Sequence, residues 1–157
     1  MRGFEKVSIN EFLKTRNVEE YEKIILPRRG TQFSAGYDFY TPYGITIKAG
    51  EKEIIATGIK AYMQSNEVLL LVIRSSLGFK HSIRLINQVG VIDSDYYNNV
   101  DNEGHILIGL ENKSNEDVIL KANDRIAQGI FINYLIANDE DKPLNHRIGG
   151  IGSTKNN

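Results

Sequence analysis

"VLLLVI", Val68 to Ile73, is a run of six branched apolar residues with no polar interruption. A bilayer-spanning helix needs about 20 such residues, so this run does not cross a membrane. Its length and branching predict instead a strand buried on both faces. Working outward, "HILIGL" (105–110), "DVILKA" (117–122) and "RIAQGIFINYLI" (125–136) read as further strands. They are separated by "ENKSNED" and "KAND", both turn compositions. On the other side "ITIK" (45–48) alternates, and Ala49-Gly50 turns the chain into "EKEIIATGI" (51–59). Many short strands with frequent turns predict an all-β sandwich or barrel. The one helix signal precedes them: Ser8 with Glu11 three positions on reads as a capping box opening a helix through "INEFLKTRNVEEYE" (9–22). "YYNNVDNEG" (96–104) breaks the rhythm as a polar loop between strands.

The bulk properties narrow the chemistry. A length of 157 residues predicts a single domain with its own core. A formal net charge of −1 gives no basic face for nucleic acid. Without cysteine there is no disulfide, thiolate metal site or Cys nucleophile. His81, His105 and His146 are too scattered for a histidine metal site. No apolar signal region opens the chain, which places it in the cytoplasm by expectation.

Polar and glycine-rich clusters recur at the expected strand ends: "SAGYDF", "RSSLGFK", "NQVGVIDSDY", "NDRIAQ" and the tail "RIGGIGSTKNN". Each alone has an ordinary explanation. Ala35-Gly36-Tyr37-Asp38 suits a turn, Arg74-Ser75-Ser76 a solvated strand end, Asp93 and Asp95 a surface pair, and Asp124-Arg125 a turn with a weak local ion pair. Together they supply what phosphate-ester chemistry needs. Carboxylates orient water or a hydrated Mg²⁺, arginine offers paired donors to phosphate oxygens, and small residues let the backbone approach. No "GxxxxGK[ST]" is present, and no "GxGxxG" follows a strand, so the common nucleotide folds are out of play.

In order and spacing the clusters resemble the trimeric dUTPase family. Ala35, Gly36, Asp38 and Phe39 match its Ala-Gly-x-Asp-Leu motif, with Phe for Leu. Arg74-Ser75-Ser76-Leu77 matches the second motif, and Asn87, Gly90, Ile92, Asp93, Asp95 and Tyr96 the third. Asp124 to Gln128 match Gly-Asp-Arg-Ile-Ala-Gln, with Asn123 for the glycine. The resemblance runs from about Leu26 to Thr154.

It implies a distorted jelly-roll or β-clip barrel with a short N-terminal helix and a C-terminal arm, forming a homotrimer with shared active sites. The implied reaction is hydrolysis of dUTP to dUMP and pyrophosphate. Asp93 then orients the attacking water and meets the deoxyribose 3′-hydroxyl, and Tyr96 packs under the sugar where a 2′-hydroxyl has no room. Asn87 and the backbone around Gly90 and Ile92 read uracil. Arg74, Ser75, Ser76 and Gln128 contact phosphates, and Asp38 helps hold hydrated Mg²⁺. The arm, about 145–157, closes over substrate through Arg147, Ile151, Gly152, Ser153 and Thr154. Here Ile151 stands where the family stacks a Phe, His146 takes the family's arginine position, and Lys155 replaces the last glycine.

Residues 1–22 are read as an N-terminal extension and 97–103 as an insertion, because the family leaves one residue between the tyrosine and the next glycine. An insertion costs little entropy; its functional reading is a docking surface for a regulatory protein. Two alternatives share the fold: a dCTP deaminase, whose catalytic Glu would fall at Gly109 with Glu111 two residues on, and a catalytically weak regulatory protein.

Overall fold

A computed structural model describes residues 1–139. In chain order the elements are β1 (Gly3–Lys6), α1 (Ile9–Phe12), α2 (Val18–Glu22), β2 (Arg28–Arg29), β3 (Tyr37–Tyr40), β4 (Ile45–Ile47), β5 (Lys52–Ala56) and β6 (Ile59–Tyr62). Then come β7 (Glu67–Ile73), α3 (Ser75–His81), β8 (Ile83–Leu85), β9 (Gly90–Asp93), a 3₁₀ turn over Ser94–Tyr96, β10 (Leu107–Asn112), β11 (Val118–Leu120) and β12 (Arg125–Asn133). The strands form four antiparallel sheets ordered β2-β3-β12-β7-β9, β5-β10-β8, β1-β6 and β11-β4. This is a jelly-roll-like all-β architecture as expected, although among the described residues the sheets do not close into a barrel.

The apolar run lies at the centre of the five-stranded sheet. β7 pairs with β12 on one side and β9 on the other, which satisfies its backbone groups at both edges. Its side chains alternate. Leu69 and Leu71 point into the core, while Leu70 and Val72 sit half-buried on the outer face, so burial on both faces holds only in part. Against the inner face pack Phe39, Ala127 and a ring cluster in which Phe4 of β1 lies 5.2–5.5 Å from Tyr37, Phe39 and Phe131. The N-terminal strand is thereby part of the core.

The expected long helix is two short ones. Asn17 caps α2 afresh, accepting from the Glu20 amide at 3.0 Å, and the Arg16 guanidinium stacks 3.6 Å from the Tyr43 ring centre at the break. Only half of the expected capping box forms. Ser8 Oγ accepts from the Glu11 amide at 3.1 Å, but the Ser8 amide donates to Glu103 Oε2 at 2.8 Å rather than to Glu11. Glu11 is turned inward toward His105 and Lys14. Among the described residues no helix is long and apolar enough to cross a membrane.

Candidate active site

The "SAGYDF" cluster is a strand entry, not a turn. Tyr37 and Phe39 face the core, which sends Asp38 to the opposite face, paired in register with Gln128 of β12. Gln128 is in turn paired with Val72 of β7, two residues before Arg74. Strand pairing alone therefore assembles Asp38, Gln128 and Arg74 at one end of the sheet. Gly36 has a steric reason: a Cβ there would lie 3.0 Å from Gln128 Oε1 and 3.2 Å from its Cβ.

Asp38 is only 4% exposed. Arg74 Nε lies 3.0 Å from Asp38 Oδ1, an ion pair in which the N–H is not aligned for a hydrogen bond. Arg125 Nη1 donates to Asp38 Oδ2 at 3.3 Å, and Gln128 Nε2 approaches Oδ1 at 3.5 Å. A buried carboxylate held by two guanidiniums preorganises cations that phosphate oxygens can recruit. Arg125 was missed by sequence reading. It stood in the quoted motif but was taken with Asp124 as a local pair, whereas Asp124 Oδ2 accepts from the Lys121 amide at 2.8 Å and Arg125 reaches across to β3.

Arg74 follows β7 and caps α3, a helix where the sequence suggested only a solvated strand end. Leu77 anchors α3 in the core, leaving Ser75 and Ser76 exposed beside Arg74.

The third motif sits elsewhere. Asn87 to Val89 make the exposed turn between β8 and β9, tightened by a Val89 amide to Asn87 carbonyl bond of 2.7 Å and by Gln88 at φ 63°. Gly90 is buried against Leu71, where a Cβ would come within 3.0 Å of the leucine Cβ. Ile92 faces inward opposite Leu69, and Asp93 pairs with Val68. Tyr96 is buried, donating its hydroxyl to the His105 carbonyl at 2.9 Å and accepting from Asn102 Nδ2 at 2.8 Å.

Asp93 and the Asp38 cluster thus lie four residues apart along the strands and three strands apart across the sheet. At 3.2–3.4 Å per residue and 4.7–4.9 Å between strands, that is about 20 Å. Between them the same outer face carries Leu70, Val72 and Ile130, half-buried, with Val91 and Ile132 exposed. Arg147, Ile151, Gly152, Ser153 and Thr154 lie outside the described residues.

Glu111, the neighbour of the deaminase position, is committed to structure. Its carboxylate accepts from Arg84 Nε at 2.6 Å across β10–β8 and lies 3.5 Å from Lys113, and the arginine bond holds it below the ordinary carboxylate range. Residues 97–103 are likewise bound within the chain. Tyr97 Oη donates to Glu5, Lys60 to Asn98, and Glu103 takes the Ser8 amide, so that Val100, 86% exposed, is the apolar tip.

The scaffold gathers a buried Asp, two Arg and a Gln at one sheet end, with a second acidic motif displaced on the same face, a set of groups suited to phosphate esters. Comparison with known proteins agrees. The profile of the dUTPase family matches residues 22–155, and the deoxyuridine 5′-triphosphate nucleotidohydrolase of Lactococcus lactis subsp. lactis is 44% identical over 98% of this chain and 97% of its own. The crystal structure of dUTPase from Streptococcus mutans superposes with a TM-score of 0.73 at 42% identity, covering 87% of this chain and 98% of that one. The dUTPase of Staphylococcus aureus phage phi11 shares the fold at 17% identity, with a TM-score of 0.69 over 90% of this chain and 96% of that one. The chain belongs to the dUTPase family.

Proposed function

We propose that this protein hydrolyses dUTP to dUMP and pyrophosphate, which removes dUTP before it enters DNA and supplies dUMP for thymidylate synthesis. The observation that carries the reading is the family match joined to the Asp38–Arg74–Gln128 cluster and the Asp93 motif on one sheet face. Asp93 accepts a proton from a water as it attacks the α-phosphorus, and the bond to the bridging oxygen breaks to release pyrophosphate. Arg74, Gln128, Ser75 and Ser76 stabilise charge on the phosphates and leaving group. Asn87 and the Gly90–Ile92 backbone read uracil, and Tyr96 closes the space of a ribose 2′-hydroxyl. In the arm, Arg147, Ile151, Gly152, Ser153 and Thr154 complete the site.

The same distances support an assembly of subunits. A base must come within about 3 Å, or one water, of the proton it takes, and about 20 Å separates Asp93 from the phosphate cluster of its own chain. The apolar face between them supports a homotrimer in which one chain's Asp93 serves the next chain's Arg74.

Among the described residues no three His, Asp, Glu or Cys side chains gather to hold a metal. Mg²⁺ would be held chiefly by the substrate's own phosphates, with Asp38 as the residue that would help hold the hydrated ion. When bound, the ion neutralises phosphate charge. A substrate drawn from the nucleotide pool suits action in the cytoplasm. Binding of a regulatory protein at the insertion is supported only by its exposed tip, Val100.

Pyrophosphate release from dUTP, dCTP, dTTP and UTP with Mg²⁺, for wild type and Asp93→Asn, tests the reading. Release from dUTP alone, lost in the variant, supports it. Ammonia from dCTP, or no cleavage of any of the four, overturns it.

A further inference from the structure

We propose that Asn102, in the insertion, is a positioning residue that fixes Tyr96 and thereby sharpens selection of deoxyribose over ribose; this rests on the dUTP reading above. Asparagine side chains of the insertion bond the tyrosine at its hydroxyl and at its carbonyl. Asn102 Nδ2 donates to Tyr96 Oη at 2.8 Å, and Asn99 Nδ2 donates to the Tyr96 carbonyl at 2.8 Å. The Tyr96 hydroxyl in turn donates to the His105 carbonyl at 2.9 Å.

Asn102 has no freedom to turn away. Its Oδ1 accepts from Asn99 Nδ2 at 2.8 Å and from the Gly104 amide at 3.1 Å, which leaves the amide nitrogen aimed at the phenol. Asn99 Oδ1 closes the loop on itself through the Asp101 and Asn102 amides. Gly104, at φ 82°, presses the returning strand against Tyr96, where a Cβ would meet the tyrosine carbonyl oxygen at 2.6 Å.

The loop is itself anchored from outside. Glu103 accepts from both the amide and the hydroxyl of Ser8, Lys60 Nζ donates to Asn98 Oδ1 at 2.7 Å, and Lys14 Nζ donates to the Asp101 carbonyl at 3.3 Å. A one-residue connection offers neither amide to the tyrosine. Selection by exclusion needs a wall that does not yield, and a phenol held at its hydroxyl and its carbonyl is such a wall.

The test compares kcat/KM for dUTP and UTP in Asn102→Ala, Tyr96→Phe and the double variant, with unfolding midpoint and sedimentation mass recorded. The dUTP/UTP ratio is expected to fall about tenfold in Asn102→Ala, chiefly through KM, and to fall no further when it is added to Tyr96→Phe, because the two groups act as one unit. Asn102→Asp, whose second oxygen can only accept and faces a phenol whose one proton goes to the His105 carbonyl, should lower the ratio as Asn102→Ala does. Should Asn102→Ala not fold, Asn102→Ser, which can still accept from the Gly104 amide but is too short for the phenol, takes its place. An unchanged ratio in a folded assembly, or an equal loss in the Tyr96→Phe background, overturns the proposal. A wild type that does not prefer dUTP refutes the functional reading itself, and the positioning role with it.

Discussion

Arg74, just past the end of β7, and Asp38 of β3 meet at 3.0 Å across the intervening β12, because each stands at the same end of the five-stranded sheet. On Asp38's other oxygen Arg125 completes the clamp at 3.3 Å. Removing the carboxylate leaves two cations facing one another. Asp38→Asn should therefore lose most activity and blunt its dependence on Mg²⁺, measured as pyrophosphate release across a Mg²⁺ titration. Retention of the wild-type Mg²⁺ curve would count against a metal role for Asp38.

Arg125 serves the site through Asp38, not through Asp124. In Arg125→Ala the Asp38 carboxylate keeps one arginine and gains freedom to pull Arg74 away from substrate. KM for dUTP should rise about tenfold, equivalent to about 1.4 kcal/mol, with the fold intact by circular dichroism. Asp124→Asn should leave KM near wild type, since Asp124 bonds the backbone of its own turn.

Gly36→Ala tests how closely the first and fourth motifs pack. The added methyl meets Gln128 at 3.0–3.2 Å, so Gln128 must shift from Asp38. A rise in KM of a few-fold, with little change in unfolding midpoint, is expected from loss of one polar contact of about 1 kcal/mol. An unchanged KM would mean that Gln128 is not a phosphate contact.

Glu103→Ala removes both bonds to Ser8 at the start of α1. Loss of such a cap costs about 1 kcal/mol, which urea unfolding resolves. A midpoint equal to wild type would show that the insertion does not anchor the N-terminal segment.

His105 sets the acid side of the stability profile. Burial pushes its imidazole below the ordinary value of 6.5, opposed by the nearby Glu11 and Glu103 carboxylates. Its Nε2 accepts from the Gly58 amide at 2.8 Å, which requires the neutral ring. The unfolded chain therefore binds a proton more readily than the folded one, and stability falls as pH drops below about 6.5. Glu67 and Glu103, both held low by their hydrogen bonds, add a second loss below about 4.5. His105→Gln should flatten the upper step alone in urea titrations at pH 5 to 7.

Much of the fold was legible because its strands are continuous apolar runs or clean alternations: β11 and β12 lie within the stretches read from sequence, while β7 begins one residue before its run and β10 continues two residues past its own into the expected turn. The exceptions have physical causes. A Ser-Ser-Leu-Gly opening hides α3, whose anchor is one buried leucine. Toward the start of the chain, Ser8 caps α1 as expected, but its own amide is taken by Glu103, 95 residues away, beyond any local pattern. Of the residues that motif spacing singled out, strand pairing brings Asp38, Arg74 and Gln128 together and leaves Asp93 at the other end of the same face. Arg125 escaped because its partner lies 87 residues off in sequence and only strand register brings them together.

Asp93 pairs with Val68 near the start of β7, and Arg74 follows its last residue, so in the proposed assembly each chain would contribute to two different sites. Damage to either end is then shareable. A chain lacking Arg74 and a chain lacking Asp93, each inactive alone, should regain activity when refolded together, because one boundary in the mixed oligomer brings both intact halves face to face. In genetic terms the two lesions complement within a single gene, while an excess of either mutant subunit suppresses the wild type.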